Sequence, residues 1–263
     1  MTVADLDAHL AGLRLSGVDG LDEAMRYSLE GGKRLRARLC LAACRAAGGD
    51  PQRALPAAVA LELIQAFSLV HDDLPALDDD DLRRGRPSNH ARFGEAVAVL
   101  AGDGLLNAAF LLAAERLETP DAVRAAVVAE LARGVAGMID GQYLDVTEGA
   151  RSHEQLVRLH RLKTGALITA AVACGLHVAG LSGGGQRPYR EFAAELGLLY
   201  QIVDDLLDGD VSDEPSYVSV FGVERTRELA SASHARARWL LDEAGGDTDE
   251  LAELTDLIAG RTA

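Results

Sequence analysis

Apolar residues recur at helical spacing along nearly the whole chain, and runs that alternate apolar with polar residues are scarce. Helices are therefore predicted almost everywhere, and strands are hard to place. Composition agrees: 48% of residues are hydrophobic but only 4% aromatic, so Ala, Leu, Val and Ile must fill the core, a mixture suited to closely packed helices. The pattern predicts helices near 19–29, 33–47, 54–74, 95–117, 121–149, 153–180 and 188–208, with two more after 218. Gly48-Gly49-Asp50-Pro51, the Pro75 region, Arg86-Pro87-Ser88-Asn89, Thr119-Pro120 and Gly183-Gly184-Gly185 punctuate them. No low-complexity linker divides the 263 residues, and one all-α domain spanning 1–263 is expected.

Charge limits the partners. The chain carries 26 basic and 41 acidic residues, a formal net charge of −15, which argues against general binding to nucleic acid or anionic membrane. Cys40, Cys44 and Cys174 have no metal-type spacing and read as reduced core residues of a cytoplasmic protein. The N-terminal MTVADLDAHL lacks a basic stretch followed by an apolar run, so no signal peptide is expected. Thr164 to Gln186 contains no Asp, Glu, Lys or Arg, yet its Ala and Gly content and His177 favour a buried core helix over a membrane span.

The acid is concentrated. Ten Asp residues fall within 72–81 and 204–210, and clustered carboxylates call for cations that neutralise them. The first cluster, His71-Asp72-Asp73-Leu74-Pro75-Ala76-Leu77-Asp78-Asp79-Asp80-Asp81, ends a helix with no charge between Glu62 and Asp72. The residue at i+4 from Asp72 is Ala76, so Asp78 reaches the Asp72 face only if about two residues loop out, which Pro75 makes feasible. Taken alone, the cluster could equally be a solvated acidic turn. In the second cluster, Asp204 and Asp208 are an i, i+4 pair, while Leu198, Leu199, Ile202 and Leu206 keep the same helix packed inward. Two such helices could face one another across a cavity, with Mg²⁺ bridging carboxylates and substrate phosphates.

Positive charge for a diphosphate is present as well. Gly31-Gly32-Lys33-Arg34-Leu35-Arg36 places Lys33 and Arg36 on one face at a helix start, where backbone N–H groups are free. The spacing is not that of a nucleotide P-loop. Arg83 and Arg84 follow the first cluster, and Lys163-Thr164 opens the uncharged stretch, a buried place for a lysine with no obvious partner. The seven histidines form no cluster, and His71 reads as a hydrogen-bonded helix-end residue rather than a base.

These pieces resemble the short-chain trans-prenyl diphosphate synthases, particularly bacterial farnesyl and geranylgeranyl diphosphate synthases. The matching segments are GGKRLR at 31–36, HDDLPALDDDDLRRGRPSNH at 71–90, GQYLD at 141–145, KTG at 163–165 and YQIVDDLLD at 200–208, in the family's order. The resemblance implies a bundle of roughly ten or more helices around a deep central cavity, usually in a homodimer. It implies that Asp72 and Asp78 hold two Mg²⁺ and Asp204 a third, supported by Asp73 and Asp208. Lys33, Arg36 and Arg84 would bind isopentenyl diphosphate, Arg83 and Lys163 the allylic diphosphate, and Gln142, Asp145, Thr164 and Gln201 would line the site. Lys163, Thr164 and Gln201 would act in the chemistry: the allylic diphosphate leaves, dipoles such as those of Thr164 and Gln201 stabilise the cation, and the alkene of isopentenyl diphosphate attacks it.

Two departures stand out. Gln65 occupies the place of a histidine that touches isopentenyl diphosphate in the family. After Asp208, a loop of the type GKxxGKDxxxxK is replaced by a connection shorter by roughly fifteen residues. The abrupt loss predicts a break in the chain somewhere in 210–217. The alternatives are a non-catalytic partner subunit of a prenyl synthase and, less favoured because of the second set of basic residues, a class I terpene cyclase. Product length rests on the helix before Asp72. Ser68 lies at i−4, about 6 Å along the axis, and Phe67 at the pocket edge. By resemblance, an aromatic residue at the Phe67 position goes with C15 products, and small Ser68 leaves room beside it; C15 is expected first and C20 second.

Overall fold

Helix boundaries follow local signals. In this computed structural model, which describes residues 2–147, 152–209 and 216–261, the first helix begins at a capping box. The Thr2 hydroxyl accepts from the Asp5 amide while the Asp5 carboxylate accepts from Thr2, so two otherwise orphaned N–H groups are satisfied. In chain order the helices are α1 (Val3–Gly12), α2 (Asp19–Tyr27), α3 (Leu35–Ala46), α4 (Pro51–Asp72), α5 (Asn89–Phe93), α6 (Glu95–Arg116) and α7 (Asp121–Thr147). They continue with α8 (His153–His160), α9 (Ala166–Val178), α10 (Gly183–Asp208), α11 (Tyr217–Phe221), α12 (Val223–Ala244) and α13 (Asp249–Ala259). The all-α expectation holds, with three local corrections. A helix precedes residue 19, two short helices, α5 and α11, stand at Asn89–Phe93 and Tyr217–Phe221 beside the two expected after 218, and a two-stranded hairpin joins Leu82–Arg83 (β1) to Arg86–Pro87 (β2).

The residues gather into two compact units, Met1–Arg38 with Leu55–Glu118, and Leu39–Ala54 with Thr119–Ala263. In the first, α2 packs on α6, where Gly104 leaves room for Met25; a Cβ there would lie 2.9 Å from its sulfur. Glu62, buried on α4, accepts a hydrogen bond of 3.0 Å from the amide of Ala37 and so caps α3. Gly102 makes space for the ring of His71, whose Nε2 lies 3.1 Å from the carbonyl of Val99, the hydrogen-bonded helix end that was expected.

In the second unit α9 is the core element. Leu167, Ile168 and Ala171 to Cys174 have no exposed surface, so the uncharged stretch is a buried helix as expected. Gly175 permits contact with the backbone at Cys40 and Cys44, and the three free cysteines are buried here, with burial pushing Cys44 up to about 11. His177 is accommodated in so apolar a helix because it faces buried Glu130, which also takes an Arg190 contact of 2.6 Å. Among the described residues two helices, α4 and α6, are long and apolar enough to cross a membrane; the most apolar stretch of α4 is 72% buried inside the protein and that of α6 33%.

Candidate active site

The Asp-rich turn is built by a chain reversal. α4 stops at Asp72, residues 74–77 bulge out around Pro75, and the amide of Asp78 returns to donate to the carbonyl of Asp72 at 2.9 Å. The amide of Asp80 donates likewise to Asp73 at 3.2 Å. The insertion thus loops out as the spacing required. Asp72 is half-buried and Asp78 exposed, so both residues are open to solvent. Asp73 differs: it is buried and gripped by Arg83, with Nε 2.8 Å from Oδ1. Burial raises the Asp73 pKa above its ordinary value despite that partner. Burial would lower that of Arg83, but the Asp73 hydrogen bond and charge prevail and raise it. Arg83 also reaches Asp80 at 3.1 Å, so in this structure it braces the acidic turn.

Arg83 and Arg84 owe their placement to the hairpin. Arg84 and Gly85 are its two turn residues, with φ of 55° and 72°, as a two-residue turn matching strand twist demands. Arg84 lies on the Gly31-Gly32 backbone: a Cβ on Gly32 would be 3.0 Å from its Nη2, and its Nη1 donates to the carbonyl of Glu30 at 3.1 Å. Gly31 and Gly32 have φ of 75° and 100°, so glycine is needed on both counts. Lys33 is exposed on the same loop and Arg36 half-buried in the first turn of α3. A cavity of about 50 Å³ is lined by Asp73, Arg83, Arg84 and Arg86. On α4, Gln65 has a buried side-chain oxygen without a hydrogen-bond partner among the described residues.

In the second unit the expected helix 153–180 is interrupted. Arg161–Gly165 forms a π-helical turn between α8 and α9, an insertion common at functional sites. Glycines make it possible. A Cβ on Gly141 of α7 would fall well inside contact distance of the Lys163 amide, and one on Gly197 of α10 would lie 2.9 Å from the Cα of Gly165. Lys163 does have a partner, contrary to the sequence reading: its Nζ pairs with Asp145. The Thr164 hydroxyl donates to Gln201 Oε1 at 3.0 Å, and Gln201 Nε2 donates to Asp205 Oδ1 at 3.0 Å. Beside them, both amide atoms of Gln142 are buried with no hydrogen-bond partner among the described residues.

The second Asp cluster lies at the C-terminal end of α10. Asp204 is half-buried and Asp208 exposed, one turn apart. Three residues the sequence reading passed over are organised around them. Asp205 is buried and accepts from the Tyr217 amide at 2.6 Å. His160 stacks on the Tyr217 ring, centroids 5.6 Å apart, and burial pushes its pKa down to about 4. Arg261 pairs with Asp204. Asp205 could have been found from the helical wheel, since it falls beside Ile202 and Leu206 on the inward face. The predicted break in 210–217 concerns residues 210–215, which lie outside the described residues.

Among the described residues no three His, Cys, Asp or Glu side chains are grouped to hold a metal ion. Magnesium does not require such a cage: it uses one or two carboxylates and completes its shell with water and substrate phosphates. The Asp72–Asp78 turn and the Asp204–Asp208 pair offer that kind of donor set. The orphaned Gln65 oxygen and Gln142 amide are polar groups suited to a ligand.

Comparison with known proteins gives a consistent result. A polyprenyl synthetase family profile matches residues 18–216. The chain is 42% identical over 264 residues to the heterodimeric geranylgeranyl pyrophosphate synthase large subunit 1, chloroplastic, of Arabidopsis thaliana, covering 90% of this chain and 70% of the relative. It is 40% identical over 269 residues to the farnesyl diphosphate synthase of Geobacillus stearothermophilus, covering 94% and 91%. Among solved structures, an apo FPP/GFPP synthase from Zymomonas mobilis superposes with a TM-score of 0.90 at 34% identity, covering 98% of this chain and 95% of the other. A geranyltransferase from Legionella pneumophila superposes at 0.88 and 34% identity, covering 97% and 91%.

Proposed function

The chain belongs to the polyprenyl synthetase family, and from that premise we propose that it is a trans-prenyltransferase condensing isopentenyl diphosphate with an allylic diphosphate. Its main product is farnesyl diphosphate (C15), with geranylgeranyl diphosphate (C20) as the alternative. The observation that carries this reading is the return of the Asp78 backbone onto Asp72, which joins two solvent-accessible aspartates in one turn that leads into the hairpin of Arg83 and Arg84.

Asp72, Asp78 and Asp204, supported by Asp73 and Asp208, are assigned to magnesium ions on the allylic diphosphate. When bound, the metal supplies Lewis acidity that draws charge from the leaving diphosphate. The rest is done by side chains. Lys163 and Arg83 take the allylic diphosphate; Lys33, Arg36 and Arg84, with Gln65, take that of isopentenyl diphosphate. The allylic C–O bond breaks, its electron pair leaves with the diphosphate, and Thr164 and Gln201 direct oxygen lone pairs at the cation that remains. The alkene electron pair of isopentenyl diphosphate forms the new C–C bond, and the released diphosphate takes the proton lost from the adjacent carbon. No side-chain nucleophile is required.

The enzyme is assigned to the cytoplasm as a homodimer and as one functional domain. Leu100 and Leu111, exposed on α6, provide an apolar face for a second copy. The test is incubation with isopentenyl diphosphate, each allylic diphosphate and Mg²⁺, followed by product sizing. Metal-dependent chain elongation is expected, and its absence with every allylic substrate overturns the reading. A second reading, a non-catalytic partner subunit, is supported by Gln65 and the short connection after Asp208. Turnover by the purified chain alone excludes it.

A further inference from the structure

We propose that Asp205, which the mechanism above leaves without a task, is a positioning residue that sets the direction of the hydrogen bonds reaching Thr164; this rests on the prenyltransferase reading. Three bonds form one chain. The Tyr217 amide donates to Asp205 Oδ2 at 2.6 Å, Gln201 Nε2 donates to Asp205 Oδ1 at 3.0 Å, and the Thr164 hydroxyl donates to Gln201 Oε1 at 3.0 Å. The first is a backbone donor and cannot reverse. The directions of the other two bonds then follow from what each atom can do.

Both oxygens of Asp205 accept from N–H donors in this structure, so neither gives a proton to these partners. Facing Asp205, the amide of Gln201 must turn its NH₂ toward the carboxylate, and its oxygen therefore points the other way. That oxygen can only accept, so the Thr164 hydroxyl must spend its single proton on it. Both lone pairs of Thr164 Oγ1 are left for the region where the allylic cation forms. Asp205 is held for this purpose: it is 6% exposed, fixed to Tyr217 on one oxygen and to Gln201 on the other. The π-helical turn carrying Thr164 is in turn fixed against α10 by the close approach of Gly165 and Gly197. A cation is stabilised by oxygen lone pairs aimed at it and opposed by an O–H dipole pointing at it, so the direction of the chain bears on the barrier and scarcely on ground-state binding.

Asp205→Asn tests the direction with almost no change of shape. The oxygen of the substituted carboxamide would keep the Tyr217 amide, which leaves its NH₂ facing Gln201. Gln201 must then flip, its nitrogen donates to Thr164, and the Thr164 proton turns outward. A fall in kcat of about tenfold or more is expected, with KM for both substrates within about twofold, since one aligned electrostatic group is worth about that much or more. Asp205→Asn combined with Gln201→Glu restores the direction. A carboxylate at position 201 accepts both from the carboxamide at position 205 and from Thr164, and kcat should recover most of the loss. In a Thr164→Val background, Asp205→Asn should cost little further. Thermal melts of each variant exclude unfolding as the cause.

Wild-type kcat in Asp205→Asn, an unrescued double variant, or an equal loss in the Thr164→Val background overturns the inference. Neutron diffraction of the unliganded wild type reads the same point without turnover. Deuterium on Thr164 Oγ1 aimed at Gln201 is required, and deuterium aimed elsewhere overturns the inference even if the enzyme is active. An inactive wild type with the deuterium in place would instead sink the prenyltransferase reading while leaving the hydrogen-bond direction intact.

Discussion

Arg261 Nη1 lies 2.7 Å from Asp204 Oδ1, so a cationic side chain occupies a carboxylate assigned to magnesium. The guanidinium also lies over the Tyr200 ring, 5.0 Å from its centroid. Two positive charges cannot share one carboxylate at no cost. Metal binding at Asp204 therefore displaces Arg261, and the pair, being partly exposed, opposes it by about 1 kcal/mol or less. Arg261→Ala is expected to lower the half-saturating Mg²⁺ concentration several-fold at unchanged kcat. Titration of activity with Mg²⁺ decides it, and an unchanged or higher requirement would count against a competing role.

Phe67 is the residue proposed to limit product length. Its ring is buried, with an edge-on contact to His71 at 5.0 Å between centroids. Neighbouring Ser68 bends its hydroxyl back to the carbonyl of Gln65 at 3.0 Å and so projects little volume. A ring blocks a lengthening prenyl tail by overlap. Phe67→Ala should shift products from C15 toward C20 and beyond while ionisation continues. It should also lower stability by about 3–5 kcal/mol, as truncation of a buried ring does. An unchanged length distribution in a folded variant, or mainly C20 from the wild type, removes Phe67 from this role.

Gly141 offers a test of the π-helical turn. Any Cβ there strikes the backbone at Lys163, which unlike a side-chain tip cannot swing aside. Gly141→Ala is expected to cost about 1–3 kcal/mol by overpacking. It should also pull Lys163 from Asp145 and depress kcat/KM for the allylic substrate. The nearest atoms to a Cβ at Gly102 belong to the His71 ring, a side chain rather than backbone, so a smaller loss in thermal melts is expected for Gly102→Ala. Equal losses would show that the backbone contact at Lys163 has no special weight.

How much of this was legible beforehand depended on range. The helices 95–116 and 121–147 and the pair Asp204–Asp208 were readable because periodicity and i, i+4 spacing are local. The loop-out at Asp78 was readable because a proline and a spacing conflict lay within a few residues. The π-helical turn at 161–165 was not. It is stabilised by Gly141 and Gly197, distant in sequence, and a one-residue insertion hardly disturbs an apolar pattern as uniform as that of residues 164–180. Spacing offers Lys163 no obvious partner for the same reason, since Asp145 is brought to it by packing. The hairpin was overlooked because its strands are two residues long, although Arg84-Gly85 is an acceptable turn sequence for it.

His160 should leave a signature in the pH dependence of stability. Burial holds its pKa down at about 4, against about 6.5 unfolded. Between these values the unfolded chain binds a proton that the folded protein refuses. Its contribution is therefore fully present above pH 6.5 and is lost as pH falls toward 4, with a ceiling of about 3 kcal/mol. His160→Phe keeps a ring against Tyr217 without the titrating group. Urea unfolding at about pH 4.5 and about pH 7, on either side of most of that loss, should show a smaller acid-side loss in the variant than in the wild type. Parallel profiles would mean that other groups account for the acid sensitivity.

The apolar face of α6 bears on the proposed homodimer. Leu100 and Leu111 are 57% and 48% exposed, and eleven residues of an α-helix bring the chain almost back to the same side. Asp103 and Asn107 stand between them on that side, so the stripe is interrupted by polar groups rather than continuous. Such a face can bury its leucines against a second copy while its polar residues find partners across the interface. Leu100→Glu with Leu111→Glu places like charges where two copies would meet and loses nothing from the core, because neither side chain is buried. The double variant should melt as a folded helical protein and elute as a monomer by light-scattering chromatography, while the wild type elutes as a dimer. A double variant that remains dimeric would place the interface elsewhere, and a wild type that is already monomeric would remove the homodimer altogether.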